Sequence, residues 1–163
     1  MIAGRTHVDD ANLALLTDLY ELTMLRAYVE RDMDAPATFS LFVRRLPGRR
    51  NYLLACGLDD VLGYLETLRF TRESLDYLAS LGGRFSDRFL RWLEGFRFAG
   101  DVDAVPEGTA LFANEPILEV TAPIAQAQLV ETFVMNQVHL QTVLASKAAR
   151  VVTAARAAGG RTG

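Results

Sequence analysis

The sequence has 163 residues, of which 50% are hydrophobic and 23% are charged, and its net charge is −3. This composition predicts one globular domain, or one domain and part of another, rather than a disordered chain. The arginines are spread among acidic residues, which argues against nucleic acid or an anionic membrane surface as a partner. Cys56 is the only cysteine, so an internal disulfide is excluded and a structural zinc site is disfavoured. Because the N-terminus lacks the apolar core of a secretory signal, we expect a cytoplasmic protein.

A helix is predicted over residues 15–31, after a loose N-terminus over residues 1–14. It begins in the decapeptide LLTDLYELTM at residues 15–24, in which Thr17 is the expected N-cap and Asp18 lies where the helix dipole favours negative charge. Apolar side chains recur on two sides, so we expect the helix to be covered on more than one side. Tyr20 must then face something. It is either a helix-packing tyrosine or a platform on which a flat ring stacks.

The next segment alternates apolar and polar side chains, which predicts a half-buried strand over residues 37–46. A turn at Pro47-Gly48 ends it, and helical spacing returns over residues 53–68. Two shorter helices follow, with Thr71 and Ser86 as their expected N-caps. These helices are interpreted as packing elements.

Residues 101–122 contain short extended pieces separated by prolines, which predicts the strands of a small antiparallel sheet. Pro123 is well placed as the first residue of a helix. Residues 124–158 lack glycine and proline, and one helix of that length would span roughly 50 Å. The polar residues around Asn136-Gln137 predict a bend there, and hence two successive helices. The pattern as a whole indicates an α+β fold.

Polar and charged residues recur on one face of the second of these helices, at Thr142, Ser146, Arg150 and Thr153, with Lys147 beside them. Two cations and several hydroxyls on an otherwise apolar face suggest a site for an anion such as phosphate. The alternative is a solvated edge whose aliphatic stems cover neighbouring apolar surface.

The two histidines carry no catalytic or metal signature. His139 has no carboxylate or second histidine at a ligand spacing, and it is interpreted as an ordinary hydrogen-bonded histidine. His7 lies in the loose terminus. No glycine-rich phosphate loop is present, and we assign no metal site.

The decapeptide resembles the N-terminal signature of nicotinate phosphoribosyltransferases. Further segments support the resemblance in the same order along the chain: residues 37–47 with Gly57-Leu58, residues 106–109 and 114–116 with 128–132, and residues 145–150. Together the match extends from about residue 15 to residue 158. Each segment is short and largely apolar, so the resemblance depends on their order.

The resemblance implies an enzyme of NAD salvage that joins nicotinate to phosphoribosyl pyrophosphate and releases nicotinate mononucleotide and pyrophosphate. ATP with Mg²⁺ drives that reaction through a phosphorylated histidine. Tyr20 matches the tyrosine that stacks on the pyridine ring, in a site shared with the partner subunit of a homodimer. Arg150 matches a phosphate contact, and Lys147 does so more weakly. Arg44 and Arg45 match a basic strand end and receive no role, the alternative being a surface salt bridge.

The implied domains are an α+β N-terminal domain over residues 15–122 and the helical start of an incomplete β/α barrel over residues 123–163. Family members are more than twice as long, and the phosphorylated histidine, the arginine for the nicotinate carboxylate and the ribose-phosphate loop match positions beyond Gly163. We therefore expect a fragment or split product that is inactive alone, holds neither ATP nor Mg²⁺, and tends to associate through an exposed apolar face of its last helix.

Two alternatives stay open. The chain is then either a non-catalytic subunit or remnant module of a split enzyme, or a relative of quinolinate phosphoribosyltransferase. The latter fits less well, because a dicarboxylate needs several cations and that family lacks the tyrosine signature.

Overall fold

Helices and short antiparallel strands make up the protein, as a computed structural model that describes residues 12–46, 48 and 50–159. After a 3-10 turn at Leu13–Leu15, the elements in chain order are α1 (Leu19–Glu30), β1 (Pro36–Phe42), β2 (Leu53–Leu54), α2 (Leu58–Thr67), α3 (Arg72–Ala79), α4 (Asp87–Glu94), β3 (Asp101–Ala104), β4 (Ala110–Leu111), β5 (Pro116–Pro123) and α5 (Ile124–Ala157). The predicted mixture of helices with a small antiparallel sheet is confirmed. His7 and Pro47 lie outside the described residues, as does most of the predicted loose N-terminus.

The main sheet has three strands in the order β1-β5-β3, all antiparallel. Strand β5 is central. Its Val120 pairs with Phe39 of β1 on one side and with Val102 of β3 on the other. The predicted strand over residues 37–46 extends too far, because the register shifts between Leu41 and Phe42 and β1 ends there. Strands β2 and β4 form a separate two-stranded pair.

Helix α5 is one continuous helix of 34 residues, so the prediction of two helices is wrong. The polar residues that suggested a break lie on its open side, where Asn136 and His139 are exposed while Val138 on the same turn is buried. An outward-facing polar side chain does not interrupt the backbone hydrogen bonds of a helix. At about 1.5 Å per residue the helix is roughly 50 Å long. It packs against β1, β5 and β2, and against α1 and α2.

Two helix starts differ from the prediction. Helix α1 begins at Leu19 with Asp18 as its N-cap, so the assignment of Thr17 to that position is wrong. The helix predicted from residue 53 begins at Leu58, because Leu53 pairs with Leu111 in a strand before the chain turns at Gly57.

The capping predictions for α3 and α4 are confirmed. The Thr71 hydroxyl accepts a hydrogen bond from the Ser74 N–H at 3.2 Å, and the Ser86 hydroxyl accepts one from the Phe89 N–H at 3.3 Å. Both caps are contacts between residues three positions apart, which a local sequence pattern is able to identify.

Candidate functional site

Tyr20 lies on the first turn of α1 with 57% of its surface exposed. Its neighbours Leu19 and Met24 are also exposed, so the prediction that α1 is covered on this side is wrong. The buried face of the helix is formed instead by Glu21, Leu22 and Leu25. The Tyr20 ring therefore contributes little to the core of the described chain, and it is open to a flat ligand or to another protein surface.

Glu21, next to Tyr20, is a buried carboxylate. Its Oε2 atom accepts hydrogen bonds from the hydroxyl of Thr17, from the hydroxyl of Thr132 at 2.8 Å, and from the N–H of Asp18 at 3.4 Å. The bond from Asp18 belongs to a capping box, in which a glutamate at the third helical position reaches back to the N-cap. The bond from Thr132 joins the start of α1 to α5. Sequence reasoning missed this pair, because the two residues are 111 positions apart.

The charges of nearby carboxylates contribute to a raised pKa of the Tyr20 hydroxyl. The negative charge of Glu21 is the main cause, followed by loss of hydration and by the charges of Glu131 and Asp18. Burial raises the pKa of Glu131 as well, with a further contribution from Glu21, while a 2.8 Å hydrogen bond from Gln128 acts in the opposite direction. The phenol of Tyr20 is therefore held in its neutral form, in a negative electrostatic environment.

The hydroxyls of the predicted anion-binding face hold the segment around β2. Ser146 is fully buried and accepts a hydrogen bond from the Leu54 N–H at 2.8 Å. Thr142 accepts one from the Cys56 N–H at 3.2 Å. Two members of the face thus bind backbone amides, while Thr153 donates to the Ala149 carbonyl of its own helix.

Arg150 is half-buried and contacts the same segment. Its guanidinium donates to the Tyr52 carbonyl at 2.7 Å and to the Ser146 carbonyl at 2.9 Å, and it lies 5.7 Å from the centre of the Tyr52 ring. These two bonds use two of the five guanidinium N–H donors. Lys147 is exposed on the neighbouring turn.

Tyr20 and Arg150 are far apart in this chain. Glu21, which follows Tyr20, is bonded to Thr132, and Arg150 lies 18 residues further along the same helix. At 1.5 Å per residue this separation is about 27 Å. The predicted ring-stacking and phosphate-binding residues therefore do not form one site within the chain.

Arg45 borders a groove of about 380 Å³ between β1 and α5 that the sequence did not indicate. Arg50, His139 and Thr142 also line it, over an apolar floor that includes Leu41. Arg44 is exposed, and within the described ranges neither it nor Arg45 forms an ion pair, so the salt-bridge alternative gains no support. The lining comes from separate parts of the chain, which is why no local motif marks the groove.

Glu107 is a second carboxylate with specific hydrogen-bond partners, and sequence reasoning assigned it no role. Its Oε1 atom accepts hydrogen bonds from the N–H groups of Gly57 at 2.7 Å and Leu58 at 2.8 Å, at the N-terminus of α2. These bonds stabilise the charged form and lower the pKa of Glu107, although some loss of hydration acts against them. The carboxylate thus occupies the position where a helix N-terminus binds an anion.

The described residues show neither a metal-binding cluster nor a membrane-spanning helix. They contain no group of three or more histidine, cysteine, aspartate or glutamate side chains arranged to hold a metal ion. No helix among them combines the length and apolar character needed to cross a membrane.

The chain is similar in sequence to members of a known protein family. Residues 15–139 match the family model described as the nicotinate phosphoribosyltransferase (NAPRTase) N-terminal domain. The chain is 58% identical over 155 residues to a nicotinate phosphoribosyltransferase of Mycobacterium tuberculosis, covering 95% of the chain and 32% of that protein. It is 41% identical over 143 residues to the enzyme of that name in Bacillus subtilis, covering 87% of the chain and 29% of the relative.

A solved structure of human nicotinic acid phosphoribosyltransferase is similar with a TM-score of 0.68 and 34% identity, covering 75% of the chain and 25% of the human one. This chain spans about a third of the length of the curated relatives that it matches.

Proposed function

The chain belongs to the nicotinate phosphoribosyltransferase family as its N-terminal domain, and from this premise we propose that it forms the nicotinate-facing third of such an enzyme. The reaction joins nicotinate to phosphoribosyl pyrophosphate, with ATP as the energy source, and releases nicotinate mononucleotide and pyrophosphate in NAD salvage. The observation that carries the proposal is the exposed ring of Tyr20, inside the segment that matches the family.

Tyr20 would bind nicotinate by stacking against its pyridine ring. A flat aromatic acid gains most from a flat aromatic partner whose face is open, and the Tyr20 ring is open. Because Asp18, Glu21 and Glu131 make the surroundings negative, the nicotinate carboxylate would point away from α1. The cation that binds this carboxylate would then come from another part of the enzyme.

The phosphoribosyl group would be bound near Arg150, with Lys147 as a weaker contact. Three guanidinium N–H donors of Arg150 remain after its bonds to the two carbonyls. Thr132, which is bonded to the residue after Tyr20, and Arg150 are about 27 Å apart along α5, which is too long for one nucleotide. A homodimer, in which Tyr20 of one protomer completes the site of its partner, would accommodate both contacts.

No residue of this chain is assigned to Mg²⁺ or to the phosphorylated histidine. The described residues lack a donor group that fits a metal, and His139 is exposed on α5 and does not match the family's phosphohistidine. We propose that these groups belong to the remaining two thirds of the enzyme, which acts in the cytoplasm.

A chimera tests the proposal. Residues 15–158 would replace the matched part of the Mycobacterium tuberculosis relative, and the chimera and the chain alone would be assayed with nicotinate, phosphoribosyl pyrophosphate, ATP and Mg²⁺. We expect nicotinate mononucleotide from the chimera and none from the chain. A folded but inactive chimera would favour the alternative of a non-catalytic remnant, and turnover by the chain alone would contradict the assignment of the chemistry to other residues.

A further inference from the structure

Glu21 is a charged side chain in a place where apolar residues are expected. It is 1% exposed, and the pKa of the core residue Tyr64 is raised by burial, with a further contribution from the charge of Glu21. A carboxylate is buried at a high cost unless hydrogen bonds compensate it. Its presence in the interior therefore needs a reason beyond packing.

The hydrogen bonds of Glu21 exceed what helix capping requires. A capping-box glutamate needs only the N–H of the N-cap residue, here Asp18, and it makes that bond equally well at the surface. In this chain the same oxygen also accepts from Thr17 and from Thr132. The Thr132 bond is the only one of the three that reaches another element, since Thr17 and Asp18 directly precede α1.

Within the first turn of α1, Glu21 is the buried polar residue and Leu22 is the buried apolar one, while Leu19 and Tyr20 are exposed. Successive helical residues point about 100° apart, so with Glu21 and Leu22 directed inward, Tyr20 points outward. A hydrogen bond fixes that direction more narrowly than apolar contact does, because it depends on angle as well as distance.

We propose that Glu21 is a positioning residue, whose bond to Thr132 fixes the first turn of α1 on α5 and aims the Tyr20 ring at its ligand. The ligand is the pyridine ring of the proposed function, on which this inference rests. An apolar residue in place of Glu21 would fill the same space but would leave the rotation of the first turn less restricted.

The test removes one hydrogen-bond donor to Glu21 while keeping the shape of the side chain that carried it. Thr132→Val deletes the hydroxyl that bonds to Glu21, and Thr132→Ser keeps a hydroxyl and serves as the matched control. Nuclear magnetic relaxation of ring-labelled tyrosine in the full chain would report the order of the Tyr20 ring, with Tyr28 and Tyr52 as internal references. We expect the Tyr20 order parameter to fall in Thr132→Val alone, with the references unchanged. Thr17→Val provides a second donor deletion if Thr132→Val does not fold.

Nicotinate binding by the chimera, measured with the same variants, separates this inference from the proposed function. A looser Tyr20 ring together with a Kd raised by up to about tenfold, the range of one lost stacking contact, supports both. A looser ring with an unchanged Kd supports the role of Glu21 and overturns stacking by Tyr20. An unchanged Tyr20 order parameter in both donor deletions overturns the positioning role of Glu21.

Discussion

Tyr20 and Glu21 are adjacent in the sequence, yet one is 57% exposed and the other is 1% exposed. Hydropathy alone would place the aromatic inside and the carboxylate outside. The reversal is stable because Glu21 finds three donors, whereas the Tyr20 ring keeps an open face. An aromatic ring at the surface beside a buried, hydrogen-bonded carboxylate supports the proposal that this pair serves binding.

Replacing Tyr20 by alanine is expected to weaken nicotinate binding in the chimera by about 1 kcal/mol, or roughly fivefold, because one stacking contact is lost. The measurement is the Kd for nicotinate by calorimetry. Tyr77→Ala is the matched control, because Tyr77 is 56% exposed on α3 and belongs to no proposed site. Equal affinities of the Tyr20 and Tyr77 variants would contradict the stacking role.

Glu107 gives a pH-dependent contribution to stability. Its pKa in the folded protein lies below the ordinary value of 4.5, so its stabilising effect is complete above that value and is lost as the pH falls through the lowered pKa. Glu107→Gln is expected to reduce the free energy of unfolding at pH 7 by about 0.5 kcal/mol, a value discounted for an exposed charge at a helix N-terminus. Urea unfolding over a series of pH values from 7 downward measures the difference, which should shrink as the pH falls below 4.5.

Glu66→Gln is the control for this experiment, because Glu66 is exposed near the C-terminal end of α2. A variant at that position should not lose stability as the Glu107 variant does. If both variants behave alike, the bonds from Gly57 and Leu58 contribute no pH-dependent stability.

At the scale of elements, the β2–α2 junction is fixed by α5. Ser146 and Thr142 bind the amides of Leu54 and Cys56, and the chain then turns at Gly57 against the α5 backbone. A β-carbon on Gly57 would lie 3.1 Å from the Gln137 carbonyl oxygen. Backbone atoms cannot yield as a flexible side chain does, so glycine is required here for space as well as for its φ of 105°.

Two glycine substitutions in this region should have opposite effects. Gly57→Ala is expected to lower the free energy of unfolding by about 2 kcal/mol or more, because it combines a left-handed conformation with a close backbone contact. Gly63→Ala, inside α2 with open space around it, is expected to raise it by about 0.5–1 kcal/mol. Chemical denaturation of both variants beside the unmodified chain tests the pair. A stable Gly57→Ala variant would show that the α5 backbone shifts without cost.

The sequence predicted those elements whose determinants are local. The caps Thr71 and Ser86 were identified because the residue and the amide that it binds are three positions apart. The recurrence of Thr142, Ser146 and Arg150 was also visible. Their partners were not, because Leu54, Cys56 and Tyr52 lie 86 to 98 positions earlier in the chain.

The wrong predictions have the same origin. The polar residues around Asn136-Gln137 were interpreted as a bend in α5, although they lie on the open side of the helix. Which side stays open depends on packing against elements that are distant in the sequence. The role of Glu107 could not be predicted for the same reason. Its carboxylate accepts a hydrogen bond from the N–H of Gly57, which lies 50 positions away in the sequence. The bond from Thr132 to Glu21 likewise joins residues that no local pattern connects.

At the scale of the whole molecule, α5 connects the two proposed contact regions while keeping them apart. The Thr132 end is joined to the Tyr20 turn, and the Arg150 end is joined to the segment before β2. A continuous helix keeps its two ends at a fixed separation. The two regions would therefore meet around one substrate only if another copy of the chain, or another part of the enzyme, brought them together. This geometry favours the proposed homodimer over a site within one protomer.

The outer face of α5 provides the last prediction. Leu140, Leu144 and Val151 are exposed along one helix, so the chain alone should associate through this surface. Leu144→Lys is expected to lower the apparent mass in sedimentation velocity at micromolar concentration, because it places a charge in the middle of the apolar stripe. Leu62→Lys is the control, because the Leu62 side chain is exposed on α2, and it should leave the mass unchanged. A mass that is independent of concentration in the unmodified chain would show that this face is stable in water without a partner.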